Sequence, residues 1–256
     1  MGWSELSTVD IVINSAGIMC IPERTLTEDG IEITFATNHI GHYLLTCLIM
    51  PKLIKAAEKN PKGTTRIVNV SSASPIFASM RWSDTNFDKK TTELPEAERP
   101  NPMMHKMWGI DDVSDWSYIP LEAYNQSKVA NVLFGIGITQ RLYEKHGILG
   151  IAVHPGIIET ELGRNMTPEV VEQIRLMEKQ GAIKYKTLGA GASTGLVAAL
   201  DPKLGPGEPK DDRENYGAYL DNCQISNSAN PLAVATAEAE KLWKLSEELV
   251  QEQFGW

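Results

Sequence analysis

The sequence predicts an α/β fold built around a mainly parallel sheet. Short runs rich in β-branched residues alternate along the chain with longer stretches in which apolar residues recur at helical spacing. Three of the short runs end in residues that favour turns after strands. The 256 residues, of which 42% are apolar and 22% charged, can bury one sizeable core, and a single domain is therefore expected.

Four runs are predicted strands because they are short, apolar and rich in β-branched side chains. The first runs into Asn14-Ser-Ala-Gly17, the second into Ser71-Ser-Ala-Ser74, and the third into His154-Pro-Gly156. These turns place polar and small residues at the ends of neighbouring strands, where α/β proteins bind ligands. The predicted strands are residues 9–13, 66–70, 147–153 and 216–220.

The stretches between the strands are predicted helices and loops. Apolar residues at helical spacing indicate a helix over residues 27–59, and Pro51 is expected to kink that helix rather than end it. Residues 76–120 are polar, rich in Trp and Pro, and lack sustained periodicity, which predicts a long functional or mobile loop. Further helices are expected at residues 121–144, 168–200 and 231–254, with a second polar loop at 201–215.

Composition excludes several classes of function. The formal net charge is −9 and no stripe of basic residues occurs, so nucleic acid is not an expected partner. Three cysteines at unrelated spacings, Cys20, Cys47 and Cys223, predict neither a disulfide framework nor a zinc site. His39 and His42 lie three residues apart on a predicted helix without a third ligand, so they are expected to pack rather than bind a metal.

Targeting signals are not expected. The N-terminal residues lack the basic and apolar regions of a signal peptide. The apolar stretch from Tyr43 to Ile54 is interrupted by Pro51 and Lys52, so no transmembrane segment is predicted. Together with the unpaired cysteines, these features predict a cytoplasmic protein in a reducing environment.

Tyr124 and Lys128 carry the strongest chemical signal. Residues four apart lie on the same face of a helix, so the ammonium is expected beside the phenol. A nearby cation should lower the tyrosine pKa from its reference value of about 10 and prepare it for proton exchange. A serine at the end of strand 66–70, Ser71 or Ser72, could hold the same substrate oxygen. The pattern suggests carbonyl–alcohol chemistry with a hydride carrier.

These residues resemble motifs of the short-chain dehydrogenase/reductase family. Each motif alone is weak, but all of them occur in order and each has the expected strand, loop or helix around it. The similarity runs from about residue 9 to the C-terminus and is closest to the retinol dehydrogenase and WW-domain oxidoreductase branch. The motifs are Asn14-Ser-Ala-Gly17, Asn38-His-Ile-Gly41, Ser72, Tyr124 with Lys128, and His154-Pro-Gly-Ile-Ile-Glu-Thr160.

The resemblance implies a Rossmann-like, doubly wound parallel sheet and a single NAD(P)-binding domain over residues 1–256. It implies that Tyr124 is the general acid or base and that Lys128 lowers its pKa and binds the nicotinamide ribose. Ser72, in preference to Ser71, would orient the reacting oxygen. Asn38 would bend its helix and hold a water that joins Lys128 to solvent.

The resemblance also implies the cofactor contacts. Asn14, Ala16 and Gly17 would line the adenosine side of the dinucleotide, and Ile158 and Thr160 the carboxamide side, next to Tyr124 and Lys128. For Asn14, simple turn chemistry is the alternative, because Asn ends many strands. NADP is the expected cofactor, with NAD as the other option.

One departure from the family is large. Its members begin with a strand, a glycine-rich phosphate-binding turn and a helix, followed by two more strands. This chain begins near the family's fourth strand, so an N-terminally truncated sheet without the first three strands is expected, with residues 10–13 as an exposed apolar edge. The glycines of residues 189–195 are no substitute, because they do not follow a strand and are predicted to lie in a helix.

The expected function is an NADP(H)-dependent oxidoreductase that interconverts a carbonyl and an alcohol on a small apolar substrate, such as a retinoid, steroid or specialised metabolite. A catalytically inactive remnant or an interaction module is the alternative. The sequence leaves open the substrate, the direction of reaction and the oligomeric state, of which a homodimer is one. Aromatic and sulfur side chains of the long loop could line a substrate pocket or bury one another: Trp82, Trp108, Trp116, Met103, Met104 and Met107.

Overall fold

A computed structural model describes residues 6–110 and 112–256. Its main sheet has the spatial order β1-β2-β3-β8-β9, in which β1, β2, β3 and β8 are parallel and β9 pairs antiparallel with β8. The strands, numbered along the chain, are β1 (Ile11–Asn14), β2 (Thr65–Val70), β3 (Ile148–His154), β4 (Ile157–Ile158), β5 (Tyr185–Lys186), β6 (Glu208–Lys210), β7 (Arg213–Tyr216), β8 (Tyr219–Asp221) and β9 (Gln224–Ile225).

Helices cover both faces of the sheet, as in a doubly wound α/β fold, and this confirms the predicted fold class. Side chains alternate along β2, so Ile67 joins one apolar cluster and Val68 the other. Three helices, α1, α3 and α6, pack on the Ile67 face, and α5 packs on the Val68 face. The helices are α1 (Ile33–Ala57), α2 (Pro102–Met107), α3 (Pro120–His146), α4 (Pro168–Lys179), α5 (Leu188–Leu200) and α6 (Thr236–Val250).

The backbones of α3 and β3 approach each other directly at two glycines. A Cβ added to Gly150 would lie 2.2 Å from the carbonyl oxygen of Gly135, far inside van der Waals contact. Thr139 ties the two elements together, since its hydroxyl oxygen accepts the Gly150 N–H at 2.9 Å. This close packing fixes α3, the helix that carries Tyr124 and Lys128, against the centre of the sheet.

The first helix is longer than expected and contains a distortion that the pattern did not predict. Residues Ala36–Ile40 form a π-helical segment within α1, and the helix continues through Pro51. By length and composition alone, α1 could cross a membrane, with a mean hydropathy of 1.2. The stretch from Tyr43 to Ile54 is thus part of a longer apolar helix. Its buried side chains, including Phe35, Tyr43 and Met50, belong to the main core, as those of a core helix do.

Several element boundaries differ from the sequence prediction. Residues 168–200 form two helices rather than one, because Gly181 adopts a left-handed conformation at φ +74° and the chain then extends into β5. The glycines of 189–195 lie within α5, as predicted. The loop 201–215 contains part of the β6–β7 hairpin, and the fourth predicted strand shifts to β8. The long loop 76–120 contains 3₁₀ turns and the short helix α2.

Strand β1 forms an edge of the sheet within the described residues, as expected. It pairs with β2 alone, and its Ile13 side chain is 48% exposed. Leu45 and Leu48 on the neighbouring helix α1 are also exposed. An unpaired apolar edge of this kind favours association with another strand.

Candidate active site

The candidate catalytic residues meet at the carboxyl ends of β1, β2 and β3, the usual ligand-binding edge of a parallel sheet. Ser71 and Ser72 follow β2, and Tyr124 and Lys128 lie in the first turns of α3. Asn38 lies in the π-helical segment of α1. Elements that are distant in sequence therefore place the predicted residues around one point.

Tyr124 and Lys128 are neighbours on α3, as their spacing predicted. The Lys128 ammonium lies 5.4 Å from the centroid of the Tyr124 ring, and both side chains are buried. The ammonium donates a hydrogen bond of 3.0 Å to the carbonyl oxygen of Val70, which also accepts one from the Asn131 amide. Burial lowers the pKa of Lys128 from its usual 10.5 to about 8.

The pKa of Tyr124 moves opposite to the sequence expectation. Burial raises it well above its usual value, contact with Ser72 acts to lower it, and Cys20 raises it further. The Lys128 ammonium faces the ring and bonds to Val70, so it does not overcome the cost of burying a phenolate. The prediction that Lys128 depresses this pKa was therefore wrong for this structure. The phenol holds its proton, as a general acid must before it donates.

The structure separates the roles of the two serines after β2. The Ser71 hydroxyl donates a hydrogen bond of 2.7 Å to the carbonyl oxygen of Lys128, so it joins the strand to α3. The Ser72 hydroxyl bonds to Ser74 and to the Tyr124 phenol and lines the adjacent pocket. Ser72 is thus the serine that faces the pocket. Tyr219, to which the sequence pattern assigned no role, donates to the Ser72 carbonyl oxygen at 2.7 Å.

The Asn38 side chain holds the segment after β1 in place by hydrogen bonds. Its side-chain oxygen accepts the Ile18 N–H at 2.8 Å, and its amide donates to the Ile18 carbonyl and to Ser127, both at 2.9 Å. Both amide hydrogens and one lone pair of the amide oxygen are therefore used within the protein. Its backbone carbonyl oxygen accepts a hydrogen bond from His42. The water expected between Lys128 and solvent stays a prediction.

The three predicted adenosine-side residues separate into two groups. The Asn14 amide is buried and donates to Thr46 and Asn69, so its side chain joins β1 to α1 and β2. The prediction that Asn14 lines the adenosine side of a cofactor stays a prediction. Ala16 is exposed and Gly17 is half-buried at the end of β1. A Cβ added to Gly17 would lie 3.7 Å from the Lys128 ammonium nitrogen, which places this glycine at the candidate site.

An apolar pocket of about 530 Å³ opens beside Tyr124 and Ser72. This volume is typical of a small-molecule site. The carboxamide-side residues Ile158 and Thr160 lie in its wall. Other apolar wall residues come from the β1 turn, the long loop, the start of α3 and the region of α4: Met19, Phe77, Met104, Met107, Trp108, Leu121, Leu162, Met166, Ile174 and Met177.

The aromatic and sulfur side chains of the long loop do not all have the same environment. Trp108, Met104 and Met107 line the pocket. Trp82 instead donates to Glu238 on α6 and lies under the Lys241 ammonium, while Trp116 and Met103 are largely exposed. The sequence pattern did not lead us to expect that residues 162–177 contribute to the pocket wall. The signal that could have indicated this is the apolar stripe of the amphipathic helix α4.

The residues at this edge fit the nicotinamide end of a dinucleotide. Gly17 leaves room beside the Lys128 ammonium, and no described carboxylate forms an ion pair with this buried cation. Ile158 and Thr160 face the same edge from the segment after β3. For the pyrophosphate end, the described parallel strands are not followed by a glycine-rich turn that opens a helix.

Comparison with known sequences gives consistent matches. A sequence model of the short chain dehydrogenase family matches residues 3–83. A Streptomyces lividans protein named a probable oxidoreductase is 31% identical over 242 residues, which cover 92% of this chain and 70% of that protein. The chloroplastic short-chain dehydrogenase TIC 32 A of Brassica napus is 33% identical over 245 residues, covering 95% and 64%. Mouse retinol dehydrogenase 12 is 29% identical over 250 residues, covering 96% and 63%.

A solved structure is similar over nearly the whole chain. It is a crystal structure of an uncharacterised protein from Mycobacterium Paratuberculosis, 26% identical, with a TM-score of 0.55 over 99% of this chain and 71% of that one. The chain spans less than two thirds of the length of the Brassica napus and mouse relatives.

Proposed function

Because the chain belongs to the short-chain dehydrogenase/reductase family, we propose that it is a nicotinamide-dependent oxidoreductase that interconverts a carbonyl and an alcohol. The observation that carries this proposal is the meeting of Tyr124, Lys128 and Ser72 at the wall of an apolar pocket. Such a pocket with a few convergent polar groups is the usual form of a small-molecule active site.

In the reduction direction, the protonated Tyr124 phenol donates its proton to the substrate oxygen as negative charge develops there. The Ser72 hydroxyl orients the same oxygen by a hydrogen bond. The Lys128 ammonium lies beside the Tyr124 ring, where the negative charge of the phenolate develops. In oxidation the proton moves the other way, from the alcohol to Tyr124. A bound nicotinamide dinucleotide would supply or accept the hydride.

Seven residues are proposed to hold the nicotinamide dinucleotide: Asn14, Ala16, Gly17, Tyr124, Lys128, Ile158 and Thr160. Their positions at one edge of the sheet support this assignment. Asn38 contributes indirectly to cofactor binding, because its hydrogen bonds to the Ile18 backbone fix the segment that contains Gly17. The preference for NADP over NAD rests on the resemblance to the retinol dehydrogenase branch and stays a prediction.

The proposed substrate is a small apolar alcohol or ketone of retinoid, steroid or specialised-metabolite type. The pocket wall supports this class, since methionine and aromatic side chains adapt to irregular apolar ligands. Organisation as a single domain over residues 1–256, a cytoplasmic location and a homodimer all stay predictions. Two relatives are named as chloroplastic, which makes the compartment a separate question for this chain.

Substitution of Tyr124 by Phe tests the proposed function. The variant removes the proton donor and keeps the ring, so turnover of NADPH or NADH with a panel of aromatic and alicyclic ketones should fall by at least about a hundredfold. Its melting temperature should remain near that of the wild type. Turnover that survives the substitution would overturn the assignment of Tyr124.

Tyr118 provides the matched control. Its hydroxyl donates to the Ile21 carbonyl at 2.9 Å, close to the site but outside the proposed machinery. Tyr118→Phe should therefore keep turnover within a few-fold of the wild type. If the wild-type chain shows neither turnover nor dinucleotide binding, the inactive alternative replaces the proposed function.

A further inference from the structure

Asn125, the residue after Tyr124 on α3, is a polar side chain of the pocket wall that the proposed chemistry leaves without a role. It is 2% exposed and lines the same apolar pocket as Tyr124. Consecutive residues of a helix point in directions about 100° apart, so the two side chains meet the pocket at different places.

Both hydrogens of the Asn125 amide are used within the protein. Its Nδ2 donates a hydrogen bond of 3.1 Å to the Glu122 carboxylate and a weaker one of 3.5 Å to the Met104 sulfur. A carboxylate only accepts hydrogen bonds, so the amide nitrogen, and not the amide oxygen, faces Glu122. The direction of the Asn125 amide is therefore fixed.

The Glu122 carboxylate is itself held in place. The oxygen that accepts from Asn125 also accepts a hydrogen bond of 2.6 Å from Nε2 of His105, whose side chain is 1% exposed. His105 lies on α2 and Glu122 lies in the first turn of α3, so this contact joins the two helices beside the pocket. The two donors hold the carboxylate, which in turn holds the Asn125 amide in one direction.

The side-chain oxygen of Asn125, Oδ1, is left as an open acceptor. It accepts no hydrogen bond from a described protein group, and it is not fully enclosed by protein atoms, in contrast to Nδ1 of His105. Buried polar atoms are normally paired, so an acceptor left unpaired in an apolar wall is available to a bound molecule. Such a molecule must bring a hydrogen-bond donor, because the amide has no free hydrogen to offer.

We propose that Asn125 Oδ1 is a specificity-determining acceptor that selects substrates with a hydroxyl group a few bonds away from the reacting carbon. This role deepens the proposed function and rests on it: the apolar ketone or alcohol is a hydroxyketone or the corresponding diol. Tyr124 and Ser72 hold the reacting oxygen, and Asn125 accepts the hydrogen of the second hydroxyl.

A hydroxyl is the donor that adds least polar surface to a molecule that must otherwise fit an apolar wall. An ether or a second carbonyl at the same position has no hydrogen to donate and would leave Oδ1 unpaired. A site of this kind discriminates against such analogues, because binding them buries an acceptor without a partner.

The first test compares ligands and needs neither a variant nor turnover. Binding of meta-hydroxybenzophenone, para-hydroxybenzophenone and benzoin to the full chain is measured by calorimetry, each against its methyl ether and against the parent ketone. At least one hydroxylated ketone should bind about tenfold more tightly than its ether and its parent. Equal binding within every set, or no binding by any of these ketones, would overturn the role of Asn125.

The second test removes the acceptor. Asn125→Leu keeps a side chain of similar size, and its preference for the hydroxylated ketone over the ether should fall from about tenfold to about one, because no acceptor remains. If this variant does not fold, as judged by circular dichroism, Asn125→Ala is measured in its place. A preference that survives in the folded variant would contradict the assignment to Asn125.

Gln173→Leu is the matched control, since it also replaces a carboxamide by an alkyl group. The Gln173 amide donates to the Met107 carbonyl at 3.2 Å and is not part of the pocket wall. This variant should keep the wild-type preference. A loss of preference equal to that in Asn125→Leu would show that the effect is not specific to Oδ1.

Turnover separates this selection from the proposed function. With NADPH or NADH, the wild-type ratio of kcat/KM between the hydroxylated ketone and its ether should follow the ratio of their affinities. Asn125→Leu should lose this ratio mainly through a higher KM for the hydroxylated ketone. A chain without turnover would refute the proposed reaction, whereas the binding ratios would still decide whether Asn125 selects a hydroxyl group.

Discussion

The centre of the sheet and its β1 edge are built differently. At the centre, β2, β3 and α3 are in direct contact, and the buried Arg66 of β2 donates to the backbone carbonyls of Gly63, Ala198 and Asp201. At the edge, Ile13 is 48% exposed and Leu48 is 58% exposed. The fold therefore concentrates its packing where the proposed catalytic side chains lie.

This difference has a consequence for function. Tyr124, Ser72 and Lys128 are fixed by the well-packed centre, so their relative positions depend on the fold of that region. Ala16 and Gly17, which are proposed to face the cofactor, lie at the open edge. Substitutions at the centre should change folding stability strongly, and those at the edge should change mainly association.

The largest expected effect is that of Gly150→Ala at the centre. The new Cβ would overlap the Gly135 carbonyl, so α3 must move away from β3. We expect a loss of at least about 3 kcal/mol in the free energy of unfolding, measured by urea denaturation.

Gly195→Ala is the matched control for this glycine substitution. Gly195 lies in α5, and nothing lies within 4 Å of an added Cβ. This variant should gain about 0.5 to 1 kcal/mol, because Ala favours the helix over Gly. Equal effects of the two substitutions would contradict the close contact between α3 and β3.

Lys128→Met should give the next largest effect, and it should stabilise the chain. Burial lowers the Lys128 pKa from 10.5 to about 8, so the unfolded chain binds more protons between these pH values. Deprotonation of Lys128 should therefore make the wild type more stable as the pH rises through this window. Below the window, the charged ammonium destabilises the fold. At pH 7 the variant should be more stable by roughly 1 to 3 kcal/mol.

The measurement is thermal or urea unfolding across pH 6 to 10. The advantage of Lys128→Met should shrink as pH rises, and turnover should be lost. An advantage independent of pH would mean that the ammonium is not destabilised by burial.

The smallest expected change in stability is at the β1 edge. Ile13→Lys adds a charge to an exposed strand edge, which blocks pairing with another strand. Unfolding free energy should change by no more than about 1 kcal/mol, and concentration-dependent association should decrease in light scattering. Met103→Lys, at a residue exposed on α2, is the control and should leave association unchanged. A similar decrease in association in both variants would contradict the proposal that the β1 edge drives association.

Much of the fold and the catalytic group could be predicted from the sequence. Periodicity identified the central strands and α3 within a few residues, because each combines a clear apolar pattern with turn or capping signals. Spacing alone placed Tyr124 and Lys128 together. The preference for Ser72 over Ser71 came from the family resemblance, and the bond of Ser71 to the Lys128 backbone supports it.

The remaining features depend on burial in three dimensions. The side-chain direction of Asn14 is set by partners 32 and 55 residues away, Thr46 and Asn69, which no local pattern encodes. The raised pKa of Tyr124 depends on desolvation by residues from several elements. The division of 168–200 depends on β5 pairing with β4, which is visible only once the strands are placed.

Dinucleotide binding tests the central claim most directly, because the proposed chemistry requires a hydride carrier at Gly17 and Lys128. The purified 256-residue chain is titrated with NADPH and, separately, with NADH while its thermal unfolding is followed. The account predicts a saturable rise in stability, about 2.7 kcal/mol at one hundred times the dissociation constant. A cooperatively folded chain whose stability does not change with either dinucleotide would contradict it.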